Sequence, residues 1–304
     1  MDLEYFVADV FTDTVLKGNS LAVVMNTVGL ATERMQEIAR EFNLSETTFV
    51  ERAAPETERR EGVRVRIFTT REELNFAGHP TLGTASILRL FAPETSMGDT
   101  VKLKLNAGTV PVRFSGEAAS GAATAAITGE MTQRDPEFGA ELDPVEVARL
   151  CLLRGDDLDH ALPPQVVSTG TAFAIVVLRS VDALERLNVN HDEATLWLRE
   201  RGARWFYVLA PVPDESRQGR KYRARMQFYG GEDPATGSAA GCAISYLVAR
   251  GAAPSGECVR LDQGVEMGRP SRMQLSARRD GSQVTEVRVG GSTVLAAKGT
   301  LFLP

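Results

Sequence analysis

The chain has 304 residues, 43% of them hydrophobic and 24% charged, with a net charge of −6 at neutral pH. This length fits two domains of ordinary size better than one core, and the acidic balance argues against nucleic acid as a partner. Because no apolar run approaches the roughly 20 residues that span a bilayer and no secretory signal is visible, we expect a cytoplasmic protein without a membrane partner.

The first half of the chain predicts mostly β structure with a few helices. A helix is predicted over 32–42, where apolar residues recur at helical spacing on one face. A second helix is predicted over 80–90, through small and apolar residues. The Gly/Ser/Ala-rich segment 115–123 is the best candidate for a hinge. Runs of β-branched and aromatic residues predict strands at 5–11, 21–25, 47–51, 63–68, 101–105 and 110–114.

The second half repeats this mixture. Asp143 is a predicted N-cap, because proline and an acidic residue follow it at the start of a helical pattern. Residues 234–250 are apolar or small nearly all round, so this helix should be surrounded by strands. The final strands, 292–303, are expected to return to the first domain. Further strands are predicted at 165–168, 174–178, 205–210, 225–229, 258–262 and 286–289.

One signature occurs in both halves, as HPTLGTA at 79–85 and DPATGSA at 233–239. Two further pairs accompany it in the same order, KGNSLAVV with TGTAFAIV and, more weakly, NAGTVPV with DQGVEMG. Chance similarity among Gly/Ala-rich stretches is the alternative, but shared order and spacing favour two pseudo-equivalent domains. Each signature places proline at a predicted helix start, where backbone N–H groups suit a carboxylate. We therefore expect one anion site between the halves.

Cysteines and histidines are sparse and show no metal-binding or disulfide spacing. The chain has three cysteines (Cys151, Cys242 and Cys258) and three histidines (His79, His160 and His191). Their spacing matches neither a zinc site nor a disulfide framework. The sequence also has no P-loop and no strand-linked G-x-G-x-x-G. We expect no metal and no cofactor.

Several motifs carry a resemblance to a known family. GNSLAVV, NLSETTFV at 43–50, ELNFAGHPTLGTA at 73–85, GGEDPATGSAAG at 230–241 and QGVEMGRPS at 263–271 resemble the PhzF-type phenazine-biosynthesis isomerases. The resemblance implies a diaminopimelate-epimerase-like α+β fold with two pseudo-equivalent domains, each a curved, mostly antiparallel sheet wrapped around a central helix. We expect a first domain of residues 1–119, to which residues 290–304 return, and a second domain of residues 120–289. The resemblance also implies a homodimer and a cofactor-independent isomerase.

The resemblance also implies the site residues. Glu46 would be the general acid/base that moves a proton on a small, cyclic or amino-acid-like carboxylate. His79 and Asp233, at the two helix starts, would orient the substrate or assist proton transfer, and Asn19 would face the same cleft. Further contacts to the substrate carboxylate would come from Gly78, Thr236, Gly237 and Ser238.

The sequence departs from the family pattern at three positions, and these departures bear on the substrate more than on the chemistry. Ser20, Arg71 and Asn75 stand where the family usually has proline, and with serine at position 20 we expect Asn19 to be held less rigidly.

Other function classes stay open. A two-base racemase would need thiols at the helix starts, whereas these positions hold His79 and Asp233 and the nearest thiol is that of Cys242. A serine hydrolase could use Ser238 with His79 and Asp233, but no G-x-S-x-G surrounds the serine. A small-molecule-binding protein without activity is the remaining alternative. By its position alone, Glu46 could also be a surface acid at a strand start.

Overall fold

The computed structural model describes residues 2–115, 126–213, 220–228 and 231–303. The chain divides into two compact units, Met1–Thr132 with Gly290–Pro304, and Gln133–Val289. The predicted hinge at 115–123 lies, apart from Ser115, outside the described residues, as does the predicted boundary between 119 and 120. That boundary stays a prediction.

The first unit is built on a mixed sheet, and its six predicted strands are confirmed. Its strands are β1 (Asp2–Val10), β2 (Asn19–Val24), β3 (Glu46–Glu51), β4 (Val63–Phe68), β5 (Glu73–Leu74), β6 (Thr100–Leu105), β7 (Gly108–Ser115) and β8 (Ile127–Thr132). The order is β1-β2-β3-β4-β6-β7-β8, with β5 beside β4. Pairs β2–β3 and β4–β6 are parallel, and the other neighbours in this order are antiparallel.

Three helices accompany this sheet: α1 (Thr32–Phe42), α2 (Pro55–Glu61) and α3 (Gly78–Phe91). Helix α1 has the predicted bounds, because its apolar face packs on Phe49 and Phe68 of the sheet. Helix α2 was not predicted. Helix α3 contacts β1, β2, β3, β6, β7 and β8, so it is the central helix of this unit.

The second unit also combines a mixed sheet with helices. Its strands are β9 (Glu137–Glu141), β10 (Gln165–Ser168), β11 (Ala172–Val177), β12 (Trp205–Val212), β13 (Lys221–Arg225), β14 (Gln227–Phe228), β15 (Gly231–Glu232), β16 (Val259–Gln263) and β17 (Ser271–Asp280). The order β17-β16-β13-β12-β11-β10-β9 is antiparallel except for β13–β16 and β11–β12, and β14 and β15 form a separate hairpin.

Its helices are α4 (Pro144–Leu150), α5 (Val181–Glu185), α6 (His191–Glu200) and α7 (Gly237–Ala249). The predicted N-cap of α4 is confirmed, because the Asp143 side chain accepts a hydrogen bond from the Val145 N–H. Helix α7 is buried along nearly its whole length and packs against β10, β11 and β17. Among the described residues, every helix is too short or too polar to cross a membrane.

The last strand, β18 (Gln283–Phe302), is 20 residues long. Its residues up to Val289 belong to the second unit, and those from Gly290 belong to the first. In the first unit it pairs antiparallel with β1, from Thr293 opposite Val10 to Phe302 opposite Asp2.

The predicted start of the second signature helix was wrong. Helix α7 begins at Gly237 and not at residue 234. Thr236 has φ −109° and ψ 80°, outside the helical region. Its hydroxyl bonds to Asp233 and its N–H to the side chain of Gln263, which holds the preceding residues as a turn. Proline at position 234 therefore lies in that turn, before the helix.

Candidate active site

Glu46 is the first residue of β3. Helix α1 ends at Phe42, and Asn43 then turns the chain toward β3 with φ 51° in the left-handed region that asparagine tolerates. The Glu46 side chain is 16% exposed, while its Oε2 atom is fully buried. Glu46 is therefore not a surface acid.

His79 lies between Glu46 and Asn19. It is the second residue of α3, and its side chain is 4% exposed. Its Nε2 lies 3.3 Å from Oε2 of Glu46, and its Nδ1 lies 3.1 Å from Nδ2 of Asn19. The first contact is longer than an ordinary N–H···O bond.

The imidazole of His79 is neutral. Burial lowers its pKa from 6.5 to about 3, so the ring carries a single proton at neutral pH. The amide nitrogen of Asn19 can only donate a hydrogen bond, and Nδ1 must therefore accept it. The ring proton then sits on Nε2, where it faces the Glu46 carboxylate.

The backbone around Asn19, the first residue of β2, is fixed by two local features. Gly18 has φ 66°, and a Cβ there would lie 2.3 Å from the carbonyl oxygen of Val10, so only glycine fits. The buried carboxylate of Asp9 accepts hydrogen bonds from the Ser20 hydroxyl at 2.8 Å and from the Leu16 N–H at 2.7 Å. Ser20 therefore provides a hydrogen-bonded anchor where the family usually has proline.

Gly78 begins α3, and Ala77 caps the helix without a side-chain hydrogen bond. The first N–H groups of a helix have no partner within it. The buried first turn of α3 therefore brings backbone donors next to His79.

In the second unit, the residues around the signature form a separate polar cluster. Oγ1 of Thr236 donates to Oδ2 of Asp233 at 2.7 Å. Gly237 and Ser238 are the first two residues of α7 and are buried. The Gln133 side chain donates to the carbonyl oxygen of Gly237 at 2.9 Å. Asp233, Thr236, Gly237 and Ser238 thus lie in one short segment, as the sequence indicates.

Gln263, which is 0% exposed, supports this segment, a role that its sequence motif does not reveal. Its side chain contacts Thr236, the backbone of Asp233 and the Tyr207 hydroxyl. Gln263 begins the QGVEMG motif, but its contact with Thr236 spans 27 residues and depends on the tertiary fold.

The thiols are not suited to act as the two bases of a racemase. Burial raises the pKa of Cys242 to about 11, and its Sγ lies 3.5 Å from the Thr169 hydroxyl. Burial also raises the pKa of Cys151 to about 12, whereas Cys258 is exposed. Within the described ranges, no group of three or more His, Cys, Asp or Glu side chains is arranged to hold a metal ion.

The site residues therefore form two sets, one in each unit. The first unit brings together Asn19, Glu46 and His79, with Gly78 beside them. The second unit brings together Asp233 and the start of α7. That the two sets serve one substrate stays a prediction.

The chain matches known proteins over nearly its whole length. The family described as phenazine biosynthesis-like protein matches residues 8–299. A trans-2,3-dihydro-3-hydroxyanthranilate isomerase from Pseudomonas aeruginosa is 38% identical, over 98% of this chain and 99% of the relative. A solved structure of a predicted epimerase from the same species is 34% identical with a TM-score of 0.81, covering 99% of this chain and all of that one.

A more distant structure agrees in fold. A PhzF-family phenazine biosynthesis protein from Bacillus anthracis has a TM-score of 0.83 at 23% identity, with both chains fully covered. The expected α+β fold is thereby confirmed. The chain belongs to the PhzC-PhzF family of phenazine biosynthesis-like proteins, and it is an isomerase.

Proposed function

We propose that this isomerase moves a proton between two carbons of a small cyclic carboxylate, with Glu46 as its only acid/base. The observation that carries the proposal is the contact between the Glu46 carboxylate and the neutral imidazole of His79. The relative from Pseudomonas aeruginosa is named for trans-2,3-dihydro-3-hydroxyanthranilate, which is therefore the first substrate to test.

One carboxylate is sufficient for the chemistry. Ionised Glu46 takes a proton from a ring carbon, and the electron pair of the broken C–H bond spreads into the conjugated ring and its carboxylate. Glu46 then returns the proton to another ring carbon, and a double bond shifts. No atom or electron is gained or lost, so the scheme needs no redox partner.

His79 supports this base without competing with it. A charged imidazolium would stabilise the carboxylate and make it a weaker base. The neutral ring instead offers one N–H to the buried Oε2. We assign Oε1 as the oxygen that carries the substrate proton, because Oε2 is buried and faces the His79 ring.

The helix starts would hold the substrate anion. Backbone N–H groups of a first turn carry partial positive charge and suit a carboxylate. We assign this role to the first turns at Gly78 and at Gly237 and Ser238. Asp233 would accept a hydrogen bond from a donor group of the substrate.

Two alternatives have less support. A thiol base would have to ionise at Cys242, whose burial and raised pKa oppose it. A serine hydrolase would need a ring nitrogen of His79 to take the Ser238 proton. Nδ1 already accepts from Asn19, and Nε2 carries the ring proton and faces Glu46.

The direct test is turnover of trans-2,3-dihydro-3-hydroxyanthranilate, followed by NMR, for the wild type and Glu46→Gln. Glutamine keeps the shape of the side chain but cannot accept the proton. We expect kcat to fall about 10²–10⁴-fold, with the affinity for a carboxylate ligand within about tenfold.

Glu51→Gln is the matched control, because Glu51 ends the same strand that Glu46 begins. It should keep wild-type turnover. Wild-type activity on this compound that survives in Glu46→Gln would exclude the one-carboxylate mechanism. An inactive wild type would exclude the substrate.

A further inference from the structure

The side chain of Gln263 uses all its hydrogen-bonding positions inside the second unit. Its Oε1 accepts from the Tyr207 hydroxyl at 2.9 Å and from the Thr236 N–H at 3.1 Å. Its Nε2 donates to the carbonyl oxygen of Asp233 at 2.8 Å and to Oγ1 of Thr236 at 3.0 Å. An amide has two acceptor and two donor positions, so this one is fully satisfied.

These contacts fix the direction of every bond. With the amide flipped, an NH₂ group would face the Thr236 N–H, and two donors would meet. Because Nε2 donates to the Thr236 hydroxyl, that hydroxyl must give its own proton to Oδ2 of Asp233. A hydrogen bond donated to a carboxylate favours its ionised form.

The backbone beside Gln263 is shaped for this contact. Gly264 has φ 73°, and a Cβ there would lie 2.5 Å from the carbonyl oxygen of Arg269 and 2.6 Å from that of Pro234. Only glycine allows the chain after Gln263 to approach the turn that contains Pro234 this closely. The Gln-Gly pair of the QGVEMG motif thus acts as one unit.

We propose that Gln263 is a positioning residue for Asp233: it directs the Thr236 hydroxyl onto Oδ2 and so presents Asp233 to the substrate as an oriented anion. The proposal rests on the proposed function, in which Asp233 contacts the substrate. Gln263 itself is 0% exposed and acts through Thr236.

The test compares Gln263→Glu with Tyr207→Phe. Glutamate keeps both acceptor contacts but removes the two donors, which frees the Thr236 hydroxyl to turn away from Asp233. Phenylalanine removes one donor to Oε1 and leaves the amide orientation, because the Thr236 N–H still fixes it. Both variants lose buried hydrogen bonds, so both should unfold more easily.

The first readout needs no substrate. The ¹³Cγ resonance of Asp233, identified by its loss in Asp233→Asn, should shift in Gln263→Glu and in Thr236→Val, and should stay in place in Tyr207→Phe. Thr236→Val keeps the test decisive if Gln263→Glu does not fold. If the chemical shift of the Asp233 resonance does not change in Thr236→Val, the proposal is overturned.

The second readout is turnover of trans-2,3-dihydro-3-hydroxyanthranilate. We expect kcat/KM to fall about tenfold or more in Gln263→Glu and in Thr236→Val, and no further in the double variant, because both act on one hydrogen bond. Additive losses, or an equal loss in Tyr207→Phe, would overturn the proposal. Full activity in Asp233→Asn would instead remove the assumed role of Asp233 and leave the resonance test standing.

Discussion

The two signatures are similar in sequence but differ in backbone. Helix α3 begins one residue before HPTLGTA, so His79 lies within its first turn. Helix α7 begins after the first four residues of DPATGSA, so Asp233 lies in a turn that the Thr236 hydroxyl closes. The shared pattern preserves a small-residue helix with a polar group near its start, and each copy places that group differently.

The contacts of the polar groups near the two helix starts, His79 and the Asp233–Thr236 pair, also come from opposite directions along the chain. His79 contacts Asn19 and Glu46, which precede it, whereas Asp233 and Thr236 contact Gln263, which follows them. In the first unit the result is a neutral ring beside a carboxylate. In the second it is a carboxylate that receives a hydrogen bond. Two helix starts with similar sequences thus present different polar groups, because the residues around them differ.

The largest effect is expected from Gly18 and Gly264, the glycines next to Asn19 and Gln263. Gly18→Ala and Gly264→Ala should each lower the free energy of unfolding by about 3 kcal/mol or more. A left-handed alanine alone costs roughly 1–2 kcal/mol, and here a Cβ also overlaps backbone oxygens that cannot move aside. Urea denaturation measures the change.

Gly98 and Gly268 supply the controls, because both have φ between 60° and 70° but nothing lies within 4 Å of a Cβ. Their alanine variants should lose only the roughly 1–2 kcal/mol of backbone strain. Equal losses of unfolding free energy at all four positions would show that the close backbone approaches at Gly18 and Gly264 do not contribute to stability.

The neutral state of His79 predicts a dependence of stability on pH. Its pKa is about 3 in the folded protein and 6.5 when unperturbed, so the unfolded chain binds more protons between these values. Stability should therefore fall as the pH drops below about 6.5, and this group alone should remove roughly 2 kcal/mol at pH 5. The measurement is the free energy of unfolding against pH for the wild type and His79→Gln.

Replacement of His79 should flatten that dependence, whereas His160→Gln, at an exposed position, should leave it unchanged. If the wild type and His79→Gln lose stability in parallel from pH 7 to pH 5, His79 is not the buried neutral group that distinguishes the first signature.

The smallest expected effect is a difference in stability between variants of two neighbouring threonines of β3. Thr48 shares a 2.8 Å hydrogen bond with Thr84, the residue of the first signature that aligns with Ser238. Thr48→Val should destabilise the protein by about 1–2 kcal/mol, because it leaves the buried Thr84 hydroxyl without this partner. Calorimetry would measure the change.

Thr47 provides the opposite case on the same strand. Its hydroxyl is buried and has no hydrogen-bond partner among the described residues. Thr47→Val should therefore be neutral or stabilising by about 1 kcal/mol. Similar losses for both variants would mean that the link between β3 and α3 contributes nothing specific.

Local patterns predicted the elements whose sequence and environment agree. Helix α1 and strand β4 have the predicted bounds, because each shows the period of its structure and packs its apolar side inward. Strand β17 was missed, although its buried residues alternate, because it contains no β-branched residue. The start of α7 was misplaced because side-chain hydrogen bonds outweigh the helix-start preference of proline.

The sequence predicted only part of the site. The family resemblance named Glu46 and His79, and the structure adds their contact and the neutral ring. Nothing in the sequence shows which tautomer His79 adopts, because that depends on the Asn19 amide. Gln263 was likewise visible as a motif residue, while its four hydrogen bonds come from segments far apart in sequence.

The division of strand β18 has a consequence for how the protein folds during its synthesis. The second unit is one continuous segment, residues 133–289, whereas the first needs β1 from the beginning of the chain and residues from Gly290 onward. On the ribosome, the second unit can therefore be complete while β1, although paired with β2, still lacks its second neighbour β18. The unit that contains Glu46 is the last to close, and it depends on the growing chain staying soluble until then.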